Sequence, residues 1–327
     1  MKIAFFSLRD FDELPLCEEL AASYGMEFVW TPDPISEENL SLAEGCIAVS
    51  STPCYFPEAF ADRLHEMGVK YVTCRSIGFD HLPLGRLAEL GMRAANTAYP
   101  TECVANHALM LILMTTRRTG MAMAGVANQD FSLRGKMGRE IGGLTVGVLG
   151  TGHIGRVLIS HLAPFGCRIL AYDKYPSAEL AGLAEYKSFD EVLVESDVIS
   201  VHMPASDETH HLLDDAAFAK MKDGVCIVNT ARGSLIDSFA LMRAIRSGKV
   251  SGAGLDVIEA ENDLVYHDLH GQALDHDEYY ALKSFPNIIL TGHTAFYTET
   301  TIRCMVEDSF RSVALFEEGK ENPREVG

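Results

Sequence analysis

The sequence has few of the features that mark secreted, membrane or nucleic-acid-binding proteins. Its eight cysteines stand singly, with no C-x-x-C pair, which excludes a disulfide framework and predicts buried thiols in a reducing cytoplasm. Only 27 lysines and arginines face 46 aspartates and glutamates, and a formal charge of −19 repels nucleic acid and anionic membranes. The apolar stretches, residues 1–6 and 108–114, are too short for a signal peptide or a membrane span. We therefore expect a cytoplasmic globular protein that acts on small molecules.

What the sequence does have is length and an apolar content of 47%, enough for about two domains of ordinary size. Short apolar runs alternate in its first hundred residues with amphipathic stretches that end at glycine, which predicts β-α-β units. The predicted strands are residues 3–7, 27–31, 46–50, 70–74 and 92–96. Short connections between them predict a parallel, doubly wound sheet.

A second series of strands follows a helix predicted from Thr101 to about Gly120 and a polar loop over residues 131–139. The predicted strands are residues 145–149, 168–172, 198–202, 226–229, 252–257 and 288–290. Helical stretches over residues 155–165, 190–196 and 238–248 separate them, so this half also reads as a doubly wound α/β sheet. The last helix, residues 298–318, is too short to form a domain and is expected to pack on the first one. The predicted domains are residues 1–99 with 299–327, and residues 100–298.

A glycine-rich motif stands where the first strand of the second series meets its helix. Gly150, Gly152 and Gly155 match G-x-G-x-x-G, and Asp173 ends the next strand. This arrangement predicts a Rossmann dinucleotide site, in which Asp173 binds the ribose hydroxyls and repels a 2′-phosphate. NAD is therefore favoured over NADP, although Lys174 would offset part of the repulsion. Further cofactor contacts are predicted from Thr151, His153, Ile154, His202, Pro204, Thr230 and Ala231.

Hydride transfer to a carbonyl requires a proton donor, which we sought among twelve histidines. Ligands in open α/β sheets bind beyond the carboxyl ends of the strands, which selects His153, His202 and His293. His153 lies inside the glycine-rich motif, and His202 precedes a proline in a position that suits the cofactor cleft. His293 follows the last strand and precedes the aromatic pair 296–297, so it is the predicted proton donor.

The same positional filter selects Arg232 as the cation for an anionic substrate, because a guanidinium after a strand can hold a carboxylate bidentately. Asp256 and Glu261 follow another strand. A carboxylate bonded to His293 would favour the protonated imidazole and fix its tautomer. Each residue alone is better explained as a solvated loop charge or a helix cap, whereas their joint placement at strand ends favours an active site.

Histidines also cluster in a polar stretch near residue 270. Three of them alternate there with aspartates, but their spacing matches no zinc signature. We therefore read the stretch as a surface loop and predict no metal site. The clustered residues are His267, Asp268, His270, Asp275, His276 and Asp277.

Four segments together resemble the D-isomer-specific 2-hydroxyacid dehydrogenases, and the resemblance covers essentially the whole chain. Within this family the chain resembles the D-lactate dehydrogenases, including the type encoded with vancomycin resistance. The resemblance implies NADH-dependent reduction of a small 2-oxo acid, in the first place pyruvate, to the D-2-hydroxy acid, D-lactate. The segments are residues 150–155, 229–237, 254–257 with Glu261, and 292–299.

The resemblance also implies roles for individual residues. Arg232 would bind the substrate carboxylate and carbonyl oxygen, His293 would be the acid/base, and Glu261 its carboxylate partner. Asp256 would sit near the nicotinamide. The backbone amides of Ile77 and Gly78 would hold the carboxylate, and we expect Tyr55, Tyr99 and Phe296 to wall the substrate pocket.

At the level of architecture, the resemblance implies a Rossmann NAD-binding domain, a flavodoxin-like split substrate domain and a homodimer. One departure concerns Gly292, which stands where the family usually has proline and so bears on the placement of His293. Two alternatives stay open. One is a glyoxylate or hydroxypyruvate reductase, and the other is a non-enzymatic NAD-sensing corepressor, because fold alone does not fix function.

Overall fold

The computed structural model describes residues 1–261 and 263–327. The chain forms two compact units: unit 1 comprises Met1–Pro100 and Tyr297–Gly327, and unit 2 comprises Thr101–Phe296. No helix among the described residues is both long and apolar enough to cross a bilayer.

Strands and helices alternate in both units. The strands are β1 (Lys2–Phe5), β2 (Glu27–Trp30), β3 (Ala48–Ser51), β4 (Tyr71–Cys74), β5 (Arg93–Ala95), β6 (Thr145–Leu149), β7 (Arg168–Tyr172), β8 (Glu185–Tyr186), β9 (Val198–Val201), β10 (Val225–Asn229), β11 (Val250–Leu255), β12 (Ile288–Leu290) and β13 (Glu325–Val326). The helices are α1 (Leu14–Tyr24), α2 (Glu58–Glu66), α3 (Leu84–Glu89), α4 (Glu102–Thr116), α5 (Thr119–Ala127), α6 (His153–Leu162), α7 (Phe189–Glu195), α8 (Asp215–Lys220), α9 (Ser238–Arg246), α10 (Asp277–Lys283) and α11 (Glu299–Glu317).

The sheet of unit 1 has the strand order β13-β5-β4-β3-β1-β2, and all of its pairs are parallel except β13 with β5. Without β13 this is the flavodoxin-like order. Side chains alternate across the sheet: Ile3 and Phe5 pack with α1 and α11 on one face, whereas Ala4 and Phe6 pack with α2 and α3 on the other. The C-terminal helix is therefore part of the core of unit 1.

The sheet of unit 2 is entirely parallel, with the order β12-β11-β10-β9-β6-β7-β8. Helices α4 and α6 cover one face, and α7, α8 and α9 cover the other. The strand order reverses at β6, where β7 lies on one side and β9 on the other. A dinucleotide binds at this switch point in a Rossmann fold. The prediction of two doubly wound parallel-sheet units is confirmed.

The helix predicted from Thr101 to Gly120 is wrong in its second part. Helix α4 ends at Thr116, and α5 starts at Thr119. The helix is interrupted because Arg118 adopts a left-handed conformation with a φ of 53°. Unlike α4, helix α5 has no buried residue. The predicted polar loop near residue 270 is mostly exposed, and α10 begins at its end.

Candidate active site

The glycine-rich loop between β6 and α6 has no room for side chains on two of its glycines. Gly150 has a φ of 96°, and a Cβ atom there would lie 2.6 Å from the carbonyl oxygen of His202. A Cβ atom on Gly155 would lie 2.0 Å from the Gly150 carbonyl oxygen. Gly152, the N-cap of α6, faces open space instead, with no protein atom within 4 Å of a Cβ. The loop thus leaves the helix N-terminus open to an anion such as pyrophosphate.

Asp173 follows β7 and faces this loop. Its Oδ2 accepts hydrogen bonds from the Thr151 backbone N–H at 2.6 Å and hydroxyl at 3.0 Å, and its Oδ1 accepts from the Tyr175 N–H at 2.8 Å. Burial raises the pKa of Asp173, but these hydrogen bonds outweigh burial and hold the pKa below its ordinary value. Lys174 Nζ lies 3.0 Å from Glu208 Oε2, so its charge is paired with that carboxylate. Asp173 is an ionised group beside the start of α6.

Two buried polar atoms at the carboxyl ends of β9 and β10 have no hydrogen-bond partner within the described residues. They are Nδ1 of His202 and the hydroxyl oxygen of Thr230. The other ring nitrogen of His202, Nε2, lies 2.8 Å from Ser200 Oγ, and burial lowers the pKa of His202 to about 4. Since buried polar atoms nearly always have partners, this edge of the sheet fits a ligand rich in hydrogen-bonding groups, as NAD is.

Arg232 lies in a tight turn after β10. The Asn229 side chain holds this turn, because its Oδ1 accepts from the Ala231 N–H at 3.0 Å and its Nδ2 donates to the Arg232 carbonyl at 2.9 Å. A Cβ atom on Gly233 would lie 2.0 Å from the Ile258 carbonyl oxygen, so only glycine fits after the arginine. The Arg232 side chain is exposed, and its Nη1 donates to the Ala231 carbonyl at 2.9 Å. The turn leaves the guanidinium exposed, so that it could bind a ligand.

His293 and Glu261 form a close pair. Nδ1 of His293 lies 2.7 Å from Glu261 Oε1, and Glu261 Oε2 accepts from the Ile258 N–H at 2.9 Å. The histidine side chain is 28% exposed and the glutamate 13% exposed. A carboxylate hydrogen-bonded to Nδ1 fixes the orientation of the ring and leaves Nε2 as the nitrogen for proton exchange. This arrangement can act as a general acid or base.

The buried carboxylate of Asp256 holds the loop that carries His293. Its Oδ1 accepts from the Thr291 hydroxyl at 2.6 Å and the Thr294 N–H at 2.9 Å, and its Oδ2 accepts from the Ala295 N–H at 3.0 Å. The Asp256 carbonyl also accepts from the His293 N–H at 2.6 Å. Both carboxylate oxygens thus bond the loop that carries His293. Asp256 therefore positions this loop, in addition to its predicted contact with the nicotinamide.

His107 of α4 supports the same loop and was missed in the sequence. Its Nε2 lies 3.0 Å from Thr291 Oγ1 and 3.4 Å from Asp256 Oδ1. Burial lowers the pKa of His107 more than Asp256 raises it. The signal that would have found this residue is a histidine directly before the most apolar run of the chain, residues 108–114.

The backbone at the histidine is unusual. Gly292 has a φ of 65° and His293 a φ of 58°, so two consecutive residues are left-handed. Proline cannot adopt this conformation, because its ring fixes φ near −65°. Gly292, the departure from the family pattern noted in the sequence, therefore has a local structural cause.

Two aromatic rings flank the histidine. The Tyr266 ring centroid lies 5.9 Å from that of His293, and the Phe296 centroid lies 6.4 Å from it. Tyr266 and Phe296 also meet edge to face at 6.0 Å. Phe296 was predicted as a wall of the substrate pocket, whereas Tyr266 was not, because nothing in its polar surroundings indicates a packed ring.

The remaining substrate candidates belong to unit 1. The loop after β4 is braced from both sides, because Asn96 Nδ2 donates to the Ile77 carbonyl at 2.9 Å and the Ser76 hydroxyl donates to the Gly78 carbonyl. Tyr55 is 81% exposed, and Tyr99 is partly exposed in the segment between β5 and α4.

A buried ion pair precedes that loop. Arg75 and Glu13 have no exposed surface, and Arg75 Nε donates to Glu13 Oε1 at 2.9 Å. The other guanidinium nitrogens donate to Ser50 Oγ at 3.0 Å and to the carbonyls of Phe6 and Ser7 at 2.9 Å. Arg75 thereby fixes the start of the 76–78 loop.

The other predicted cofactor contacts lie around the glycine-rich loop of unit 2. His153 and Ile154 form the first turn of α6, with His153 Nδ1 3.4 Å from Arg156 Nη2. Pro204 follows β9, and its carbonyl accepts from the Thr209 hydroxyl at 2.7 Å.

Comparison with known proteins agrees with this geometry. Residues 109–295 match the model of the D-isomer specific 2-hydroxyacid dehydrogenase family, NAD binding domain. The chain is 40% identical over 287 residues to a D-specific alpha-keto acid dehydrogenase of Enterococcus faecalis, covering 87% of both chains. It is 36% identical over 333 residues to the D-lactate dehydrogenase of Escherichia coli, covering 100% of both.

A solved structure extends the likeness to the fold. The D-isomer specific 2-hydroxyacid dehydrogenase from Lactobacillus delbrueckii ssp. bulgaricus, in its NAD complexed form, superposes with a TM-score of 0.86 at 30% identity over 100% of both chains. NAD is thus the cofactor, and the buried polar atoms and open helix N-terminus described above suit it. The chain belongs to the D-isomer-specific 2-hydroxyacid dehydrogenases and is an NAD-dependent oxidoreductase of 2-oxo and 2-hydroxy acids.

Proposed function

We propose that this enzyme reduces pyruvate to D-lactate with NADH, His293 being the proton donor and Arg232 the carboxylate ligand. The observation that carries the proposal is the 2.7 Å contact between His293 Nδ1 and Glu261 Oε1. A histidine oriented by a carboxylate at one nitrogen presents its other nitrogen to the substrate. A protein that only sensed NAD would have no need of this pair.

The hydride for the carbonyl carbon would come from NADH, which the glycine-rich loop, Asp173 and His202 would hold. The protonated His293 gives its Nε2 proton to the carbonyl oxygen, so the hydroxyl group forms as the imidazole becomes neutral. Glu261 bonds Nδ1 and holds the ring in place during the transfer. Solvent then restores the proton, since the histidine side chain is 28% exposed.

Arg232 holds the substrate carboxylate in this proposal. The guanidinium donates two parallel hydrogen bonds to a carboxylate, which fixes the orientation of the carbonyl group. Phe296 walls the pocket for the substrate side chain. The family resemblance assigns residues 1–99 and 299–327 to the substrate domain and residues 100–298 to the cofactor domain.

NADH is the preferred dinucleotide in this proposal. The ionised Asp173 binds ribose hydroxyls and repels a 2′-phosphate, and Lys174 is paired with Glu208. Gly152, at the open N-terminus of α6, would hold the pyrophosphate. Thr151, His153, Ile154, His202, Pro204, Thr230, Ala231 and Asp256 line the rest of the cofactor site.

The proposal includes a cytoplasmic homodimer. All eight cysteines are free thiols, as a reducing compartment maintains them. Helix α5 buries none of its residues, although Met123 and Val126 are apolar and 61% and 56% exposed. Phe131, Leu133 and Met137 in the following loop are also exposed. A second copy of the chain would cover this apolar surface.

The test is NADH oxidation with pyruvate, hydroxypyruvate, glyoxylate, 2-oxobutyrate and phenylpyruvate. We expect the highest kcat/KM with pyruvate and formation of D-lactate alone. Arg232→Lys keeps the charge but loses the planar fork, so kcat/KM should fall by about 100-fold or more with a raised KM. Highest activity with hydroxypyruvate or glyoxylate would assign the reductase alternative, and a chain that binds NADH without turnover would refute the proposal.

A further inference from the structure

A cluster of side chains that can bind a metal ion lies outside the candidate active site. Nε2 of His211 lies 2.8 Å from Oε1 of Glu259, and Nε2 of His210 lies 3.8 Å from the same oxygen. The two imidazole rings stack with centroids 3.9 Å apart. One ligand atom from each of the three residues lies within 4.8 Å of the others. Such spacing lets a single ion contact all three side chains.

The ligand types select the class of ion. Two imidazole nitrogens and one carboxylate oxygen are ligands that Zn²⁺ and its neighbours in the first transition row bind, with a fourth position for water. Ca²⁺ and Mg²⁺ prefer oxygen ligands throughout, so this cluster selects against them. The net charge of −19 also favours a cation at the surface.

The backbone holds the histidine side of the cluster in place. The His211 N–H donates to the Ser234 carbonyl at 2.8 Å, which anchors the histidines to the turn after β10. The Glu278 carboxylate of α10 lies near Glu259 and adds negative charge next to the cluster. Ligands on anchored backbone lose little conformational entropy when a metal binds.

We propose that His210, His211 and Glu259 form a site for a divalent transition-metal ion of the Zn²⁺ class. The ion replaces the proton that His211 shares with Glu259 and links the segment after β9 to the segment after β11. This cluster was not predicted from the sequence, because 48 residues separate His211 from Glu259. The site is distinct from the pair that exchanges protons with substrate.

Calorimetric titration of the tag-free protein with ZnCl₂ tests the proposal, with the visible spectrum of the Co²⁺ form as a second measurement. We expect one Zn²⁺ per chain and the intense Co²⁺ bands of four-coordinate geometry. His210→Asn and Glu259→Gln should each weaken Zn²⁺ binding by at least about 10-fold, because each removes a ligand. His270→Asn, in the histidine-rich stretch near residue 270, is the matched control and should leave affinity unchanged.

His210 is exposed, so its variant keeps the fold, and an unchanged Tm without metal verifies this. The proposal is wrong if the wild type fails to bind Zn²⁺ at about millimolar concentration, or if the site survives in both ligand variants. Loss of binding in His270→Asn would also overturn it, by assigning the ion to the other stretch. No substrate or NADH is present, so the result is independent of the reaction proposed above.

Discussion

The loop at residues 76–78 in unit 1 and the loop at residues 291–295 in unit 2 are held by buried charges of opposite sign. In unit 1 the cation Arg75 donates hydrogen bonds to carbonyl oxygens and is neutralised by a buried carboxylate, Glu13. In unit 2 the anion Asp256 accepts hydrogen bonds from backbone N–H groups and a hydroxyl. The first charge is balanced by an ion, and the second by hydrogen-bond donors.

This difference determines what each loop loses when its charge is removed. A buried ion pair leaves an uncompensated charge behind when one partner is deleted, which strongly destabilises the fold. A carboxylate solvated by neutral donors leaves only unpaired N–H groups, whose cost is smaller and more local. Loss of the Arg75 charge should therefore destabilise unit 1. Loss of the Asp256 charge should instead disturb the loop that carries His293, the proposed proton donor of unit 2.

The largest expected effect is that of Arg75→Met, which leaves Glu13 buried without its main partner. Unit 1 should lose about 3 to 5 kcal/mol of unfolding free energy. The only tryptophan of the chain, Trp30, lies in β2, so its fluorescence during urea unfolding reports on unit 1. The control Arg303→Met removes an exposed pair with Glu19 and should cost less than about 1 kcal/mol. Equal losses in the two variants would contradict the comparison.

Asp256→Asn should lower the free energy of unfolding by about 1.5 to 3 kcal/mol. The amide nitrogen of the new side chain would face an N–H group from which the carboxylate accepts a hydrogen bond. We expect kcat to fall about 10- to 100-fold while the Kd for NADH changes less than about twofold. Asp268→Asn is the control, since that exposed carboxylate accepts a backbone N–H from His270. A weakened NADH affinity with unchanged kcat would instead assign Asp256 to the cofactor alone.

Glu261→Gln sharpens the comparison from the chemical side by deleting the carboxylate that lies 2.7 Å from Nδ1 of His293. We expect kcat for pyruvate reduction to fall about 10- to 100-fold, because the amide holds the imidazole less firmly, while the Kd for NADH changes less than about twofold. The measurement is kcat together with the Kd for NADH. Glu259→Gln, in metal-free buffer, should leave both values in place, because Glu259 bonds His211. An unchanged kcat in Glu261→Gln would remove Glu261 from the pair.

The smallest effect concerns Asp173, a carboxylate that also accepts backbone N–H groups but is only partly buried. Its pKa is lowered in the folded state, so it stabilises the fold above the pKa of the unfolded chain and ceases to do so as the pH falls through the folded value. Asp173→Asn should cost less than about 1 kcal/mol at neutral pH, and the difference should shrink as the pH falls below about 4. Urea unfolding followed by circular dichroism measures this, with exposed Asp275→Asn as the control. A loss as large as that of Arg75→Met would contradict the dependence on burial.

Periodicity predicted the sheets well because strand burial is a local pattern. Strands β6, β7 and β12 have the predicted bounds. The break between α4 and α5 was missed, because Arg118 is a left-handed residue other than glycine. The two-residue strands β8 and β13 were missed because pairs of residues carry no period.

Position at strand ends also brought candidate site residues together. His293 and Glu261, which the family resemblance paired, lie in contact. The groups that hold the loops were not predicted, because their partners are distant in sequence. Arg75 and Glu13 are 62 residues apart, and His107 and Thr291 are 184 apart. No local pattern encodes such contacts.

The left-handed conformation of His293 also constrains how this enzyme evolves. Asparagine and aspartate share with histidine a tolerance of positive φ, whereas β-branched residues strain the backbone there. In the genetic code both are reached from histidine by one nucleotide change. Either substitution would remove the imidazole and leave the loop and the dinucleotide fold intact. With His293 as the proposed proton donor, a descendant that still binds NAD but has lost turnover is thus a single mutation away.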